Sequence, residues 1–145
     1  MPENSLALVD SNILVYAYDT NEKEKRPKAL RIIQSCWERK SNLCVSVQNL
    51  SESFFILTSK VQYPLSIQEA GERIQAIISS SNWKVFDITK EAVSNAIRLS
   101  EKHGTVYWDS LIASVMKLNG VSAIYTENIK DFSRIPGICA VNPLR

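Results

Sequence analysis

Residues 6–18 read Leu-Ala-Leu-Val-Asp-Ser-Asn-Ile-Leu-Val-Tyr-Ala-Tyr, an almost wholly apolar run with one carboxylate, Asp10, inside it. Residues 5–9 read as a strand that is largely apolar on both faces, the pattern of a central parallel strand covered on both sides. Charged side chains are rarely buried without a partner or a metal. The place of Asp10 at the end of this strand therefore sets both the fold and the chemistry to look for.

Outward from that strand, helical and extended patterns alternate. Pro27 starts a helix to about residue 40, with Leu30, Ile33, Cys36 and Trp37 on one stripe. Residues 43–47 read as a second strand and 50–60 as a helix, with a break near Pro64. Ser66 and Glu69 form a capping-box pattern opening a helix to about residue 79. Residues 85–88 read as a short strand. Thr89 caps a helix through about residue 102, closed by Gly104. Residues 109–118 make an apolar helix closed by Gly120. Further strands are expected at 121–126 and 138–141. Alternation of this kind predicts a single-domain α/β/α sandwich around a central parallel sheet of about five strands. Ligand sites in such sheets lie beyond the carboxyl ends of the strands.

The bulk numbers agree. At 145 residues and 45% hydrophobic the chain suits one packed domain and no disordered class. No apolar run reaches the length of a membrane span, and residues 1–5, Met-Pro-Glu-Asn-Ser, lack a signal-peptide pattern, so the expected location is cytoplasmic. Cys36, Cys44 and Cys139 show neither metal spacing nor a disulfide framework and read as reduced core residues. The lone histidine, His103, sits before Gly104 at a helix end, where it suits the dipole. The net charge of +2 gives no chain-wide field for nucleic acid. Locally, Lys23, Lys25, Arg26, Lys28, Arg31, Arg39 and Lys40 crowd one segment, either as a solvated helix face or as a phosphate-facing patch.

Three carboxylates fall where they can meet. Asp10 follows the first strand, Glu52 lies shortly after the second, and Asp109 opens the apolar helix. The loop after Ser-Ala-Ile-Tyr-Thr adds Glu127, Asn128 and Asp131. Each acid has a structural reading. Asp10 caps the turn that follows it, Glu52 partners Asn49 in a capping arrangement, and Asp109 is a first-turn acid. Taken together they point to a different role. Clustered carboxylates repel and raise one another's pKa values, and a hard divalent cation such as Mg2+ or Mn2+ relieves that repulsion. An acid cluster of this type cleaves phosphodiesters without histidine or cysteine. Neither a GxSxG elbow nor a GxGxxG or P-loop motif is present.

The segments LVDSNILVYAYD, SVQNLSESFFILTSK, YWDSLIASVMKLNG and IYTENIKDF together resemble a PIN-domain protein, most closely the VapC toxins of VapBC toxin–antitoxin pairs. The resemblance spans nearly the whole chain. It implies an α/β/α fold, a Mg2+- or Mn2+-dependent endoribonuclease acting on tRNA or ribosomal RNA, a homodimer, and inhibition by a cognate antitoxin. Carried over by position, it implies Asp10 as the central metal ligand, Asp109 as a second direct ligand, and Glu52 as a direct or water-mediated one. Asn12 matches the polar residue that orients the first acid. Asn128 stands where many members carry an acid, which leaves Asp131 or Glu127 to compensate and makes a second metal position dependent on substrate phosphate.

The rival reading is a non-catalytic PIN-like module that binds RNA or protein. A haloacid-dehalogenase-type phosphatase wants an aspartate two residues after the first, where this chain has Asn12, and a phosphoryl receiver wants an acidic pair that is absent. Phe54, Phe55 and Ile56 extend apolar surface beyond one helical stripe, as a dimer face, an antitoxin groove or plain core packing would.

Overall fold

The computed structural model describes residues 5–145, so most of the N-terminal segment read above for a leader lies outside the described residues. Among the described residues, five strands and seven helices follow in the order β1 (Leu6–Val9), α1 (Ser11–Tyr18), α2 (Lys25–Trp37), β2 (Asn42–Ser46), α3 (Val47–Ser59), α4 (Ile67–Ser79), β3 (Trp83–Phe86), α5 (Lys90–His103), α6 (Tyr107–Leu118), β4 (Ala123–Tyr125), α7 (Ile129–Phe132) and β5 (Cys139–Val141). The sheet has the order β3-β2-β1-β4-β5, and every neighbouring pair is parallel. This is the sandwich the alternation predicts.

The pleat explains why β1 is apolar throughout. Ala7 and Val9, with Leu43 and Val45 of β2, pack against α1, α2, α3 and α4. Leu8 and Cys44, with Ile124 of β4, point the other way onto α6 and α7. Leu8 pairs with Cys44 on one side and Ile124 on the other, so one register row supplies the α6 face. Leu8, Ile33, Leu57 and Met116 are fully buried, and each such side chain contributes about 2 kcal/mol of apolar burial.

Sequence and structure differ in instructive places. Residues 11–18, expected to open only with a turn after Asp10, form α1. Asp10 itself is its N-cap, extended at φ −70° and ψ 156°, with its carboxylate accepting the Ser11 N–H. α3 starts at Val47 because Ser46 and Asn49 make the capping box, each side chain bonding the other's backbone N–H. Glu52 has no part in it. Ser66 caps α4, but the Glu69 carboxylate takes a bond from the Ser66 hydroxyl instead of the reciprocal backbone bond. α6 begins two residues earlier than expected, at Tyr107, with no side-chain cap. Cys36 and Cys44 are buried, whereas Cys139 is exposed, because β5 is the sheet's outer strand.

The basic segment also comes apart in three dimensions. Lys25 pairs with Glu127 and Lys40 with Glu38. Arg26 reaches the Ala17 carbonyl, Lys28 the Leu144 carbonyl, and Arg39 the Ser81 hydroxyl. Arg26 and Lys28 thereby tie α2 to α1 and to the C-terminal segment. Among the described residues, no helix is long and apolar enough to cross a membrane.

Candidate active site

In the order β3-β2-β1-β4-β5 the chain moves outward from β1 in one direction and then restarts on its other side with β4. The crevice at such a switch point is where open α/β sheets bind ligands. Asp10 stands at the end of β1, and its N–H continues the ladder to the Tyr125 carbonyl of β4 at 3.0 Å. The residues just after β4 therefore face it.

Asp10 is 6% exposed and held by several donors. The Thr126 hydroxyl donates to Oδ2 at 2.7 Å, and the Ser11 N–H donates to Oδ1 at 2.8 Å. Longer bonds come from the Ser11 hydroxyl and the Asn12 amide, both at 3.4 Å, and from the Asn49 amide at 3.5 Å. Burial raises the Asp10 pKa, and the Thr126, Ser11 and Asn12 donors oppose that rise. The side chain is thus fixed as an acceptor but desolvated.

Asp109 enters from the first turn of α6, where the dipole favours an acid. Its Oδ2 accepts the Asn128 side-chain amide at 3.0 Å. Burial, then the charges of Asp10, Asp131 and Glu52, push its carboxyl up to about 6, against the Asn128 bond. Glu52, in the second turn of α3, is half-buried, and its Oε1 has no hydrogen-bond partner. Burial raises its pKa, the Gln48 amide opposes this, and the Asp10 charge adds to it. Gln48 leaves its own Oε1 without a partner and gives its amide to the Trp108 carbonyl at 3.2 Å, linking α3 to α6.

The loop after β4 binds these parts together. Thr126 is fully buried; its Oγ1 accepts the Asn128 N–H at 2.9 Å while its hydroxyl serves Asp10. The Glu127 N–H donates to Asn12 Oδ1 at 3.3 Å, which turns the Asn12 amide toward Asp10. The Glu127 carboxylate instead faces Lys25, at 3.2 Å, and accepts the Tyr16 hydroxyl. Asp10, Asp131 and Glu52 are close enough to raise the Asp109 pKa, and Asp10 that of Glu52, whereas Glu127 is occupied at the rim. Thr126 and Gln48 were not singled out from sequence, and Asn49 only as a helix-capping partner of Glu52. The spacing of Asn49 from Ser46, and the place of Thr126 at the end of the strand beside β1, are the signals that would have found them.

The available donors are oxygens, the preference of a hard divalent cation. Among the described residues no three acidic, histidine or cysteine side chains form a ready-made ligand set. Mg2+ needs only one or two carboxylates beside its waters. The orphaned Glu52 Oε1 and the mutual repulsion of the acids fit such an ion.

A parallel α/β/α sandwich with desolvated carboxylates at its switch point defines an acid-pocket α/β protein. Within that class, the PIN domain matches residues 7–138, and the chain belongs to the PIN-domain family. No curated protein sequence matches it significantly. Solved structures share the fold. A toxin–antitoxin complex from Klebsiella pneumoniae is 21% identical with a TM-score of 0.67, covering 94% of this chain and 97% of that one. The sarcin–ricin-loop-cleaving toxin VapC20 of Mycobacterium tuberculosis is 17% identical with a TM-score of 0.69, covering 89% and 94%. DNA-bound VapBC from Salmonella typhimurium is 18% identical with a TM-score of 0.67, covering 97% and 98%.

Proposed function

We propose that this protein is an endoribonuclease, dependent on Mg2+ or Mn2+, that serves as the toxin of a toxin–antitoxin pair. The observation that carries the reading is the convergence of Asp10, Asp109 and Glu52 on one crevice, each with a raised pKa and each pushed up in part by a neighbour's charge or by burial without a cation. Asp10 and Asp109 would hold the ion directly, and Glu52 would do so directly or through water. The bound ion would supply positive charge for the developing phosphorane and a water of lowered pKa. The chain's own residues do the positioning. Thr126, Ser11 and Asn12 fix the Asp10 oxygens, and Asn128 holds Asp109 ionised near neutral pH. Asp131 lies within electrostatic reach of Asp109 and would take the place of the missing fourth acid. The Lys25–Glu127 pair leaves Glu127 a rim residue.

Family membership and the fold shared with a ribosomal-RNA-cleaving toxin and with toxin–antitoxin complexes support tRNA or ribosomal RNA as substrate and an antitoxin as partner. A groove of about 630 Å3 lined by Val47, Leu50, Phe54, Ile74, Ile78 and Val85 offers an apolar seat for such a partner. Ile78, which lines it, is exposed, as a homodimer or antitoxin contact requires. The cytoplasm is the compartment where those RNAs occur.

Asn128 at the fourth acidic position favours a second reading, a PIN-like module that binds RNA or protein without cutting. Incubating the purified protein with total tRNA and ribosomal RNA, in Mn2+ or in EDTA, separates the two. Discrete fragments formed only with metal support the nuclease. RNA that is bound but left intact supports the module.

A further inference from the structure

We propose that the groove between α5 and α6, continued by the turn after α7, is the track that grips the RNA phosphate backbone beside the acidic site. This rests on the nuclease reading above and names the surface that holds its substrate. The groove has a volume of about 340 Å3, and Arg98, Lys102 and Lys117 line it. Arg134 extends it: a Cβ on Gly104, at the end of α5, would lie 3.3 Å from the Arg134 guanidinium. Lys117 closes the other end, its Nζ donating to the Pro136 carbonyl at 2.6 Å. All four cations are exposed.

These four cations share one groove and its continuation, and among the described residues none of them has an anionic partner. Among the described residues, the ion pairs are Lys25–Glu127 and Lys40–Glu38, both involving the α2 segment. Arg98 bonds the neutral Asn95 amide oxygen and Lys117 a neutral carbonyl. Among the described residues, Lys102 and Arg134 make no side-chain hydrogen bond. Glu101, the acid next to Lys102 in sequence, pairs with none of them. Four exposed cations from three separate segments thus line one groove and its continuation without an ion pair among the described residues. An uncompensated strip of this kind suits a polyanion, because neutralising phosphates releases their counterions.

The strip also leads to the acids. Arg134 donates its N–H to the Asp131 carbonyl, and Asp131 acts electrostatically on Asp109. Asp109 and Ser110 open α6, and Ser110 bonds Ser100 of α5 and Thr105. A backbone lying along Lys117, Arg98, Lys102 and Arg134 would bring its next phosphate toward Asp109. The exposed Trp108, edge-on to Tyr107, stands near that exit as a stacking surface.

The test compares binding of a labelled mixed-sequence single-stranded RNA across a salt series. It uses Asp10→Asn protein to prevent cutting. On that background one variant carries Arg98→Gln, Lys102→Gln and Arg134→Gln, and a second adds Lys117→Gln. A control carries Arg39→Gln and Lys40→Gln. The expected result is a loss of affinity of roughly tenfold or more near physiological salt. The slope of log affinity against log salt should fall by about 0.7 for each phosphate contact removed. The control should be unchanged. In cleavage-competent protein the same groove substitutions should raise KM and leave kcat at saturating RNA. Unchanged affinity and slope in folded variants would overturn the track while wild-type cleavage left the nuclease standing. If wild-type protein neither bound nor cut RNA, the function itself and the track would both fall.

Discussion

Asn128 donates its side-chain amide to Asp109 Oδ2 at 3.0 Å, tying the loop after β4 to the first turn of α6. That single bond opposes four influences that raise the Asp109 pKa: burial and the charges of Asp10, Asp131 and Glu52. Asn128, at the position where the family resemblance implies an acid in many members, thus acts here as a donor that favours the ionised form of Asp109.

Removing that donor has a definite sign. In Asn128→Ala the ionised form of Asp109 loses a hydrogen bond, so its carboxyl rises above about 6. The acid limb of the pH–rate profile for RNA cleavage should move to higher pH. Asn128→Asp should move it further, because a charge replaces a dipole. A pH profile identical to wild type would show that Asp109 is not the group titrating there.

The raised acids also fix how stability depends on pH without metal. Asp109 titrates near 6 in the folded chain and at 3.8 in the reference state, so between those values the native state holds the proton more tightly. Its stabilising effect is complete below about 4 and is lost as pH rises through about 6. Because the group is half-exposed, solvent screening reduces the effect to about 1 kcal/mol. Thermal melts in EDTA should show Asp109→Asn gaining on wild type at pH 7 and losing that advantage toward pH 4.

Divalent cation should reverse this penalty. Mn2+ or Mg2+ binding the native acids raises the melting temperature at pH 7, with about 2.7 kcal/mol expected at a hundredfold excess over Kd. Asp10→Asn should abolish the shift. Calorimetry in two buffers of different ionisation enthalpy should also detect proton release on binding. A wild-type melt insensitive to metal would count against the ligand set.

Thr126→Val tests the support beneath Asp10. Valine keeps the volume but removes the 2.7 Å donor and the acceptor for the Asn128 N–H. Leaving buried polar groups without partners costs about 2 kcal/mol by denaturant unfolding. Asn128 would also lose its anchor, so cleavage should fall more than stability alone explains. Thr126→Ser, which keeps the hydroxyl, should restore most of both.

Much of the fold was legible because the apolar periods and the caps agree with it: Thr89 caps α5, Gly104 ends it with a positive φ of 65°, and the alternation gave the parallel sheet. α1 was not legible. Residues 6–18 are apolar at both strand and helix spacing, and no Gly or Pro marks the change. The punctuation is Asp10 itself, whose carboxylate both caps the helix and lines the site. Strand ends moved by about two residues for the same reason: β3 begins at Trp83, whose indole is buried, not at Val85.

At the site, the acids stood out because carboxylates at strand ends are conspicuous. Thr126 and Asn49 did not, since a buried hydroxyl or amide looks in sequence like any turn residue. The cations group differently in sequence and in space. Lys23 to Lys40 form a dense run in sequence, yet α2 spreads its members from Glu127 to Ser81. Arg98 and Lys102 of α5, Lys117 of α6 and Arg134 after α7 come from three segments and are brought together by their packing.

The most direct measurement is cleavage of total tRNA and ribosomal RNA in Mn2+ by wild-type protein beside folded Asp10→Asn. Asparagine keeps the side chain's size and an oxygen to cap α1, but it removes the charge that would hold the cation. Metal-dependent fragments from wild type that disappear with Asp10→Asn are the predicted result. Equal cleavage by the two proteins would contradict the assignment of Asp10, and with it the account of the site.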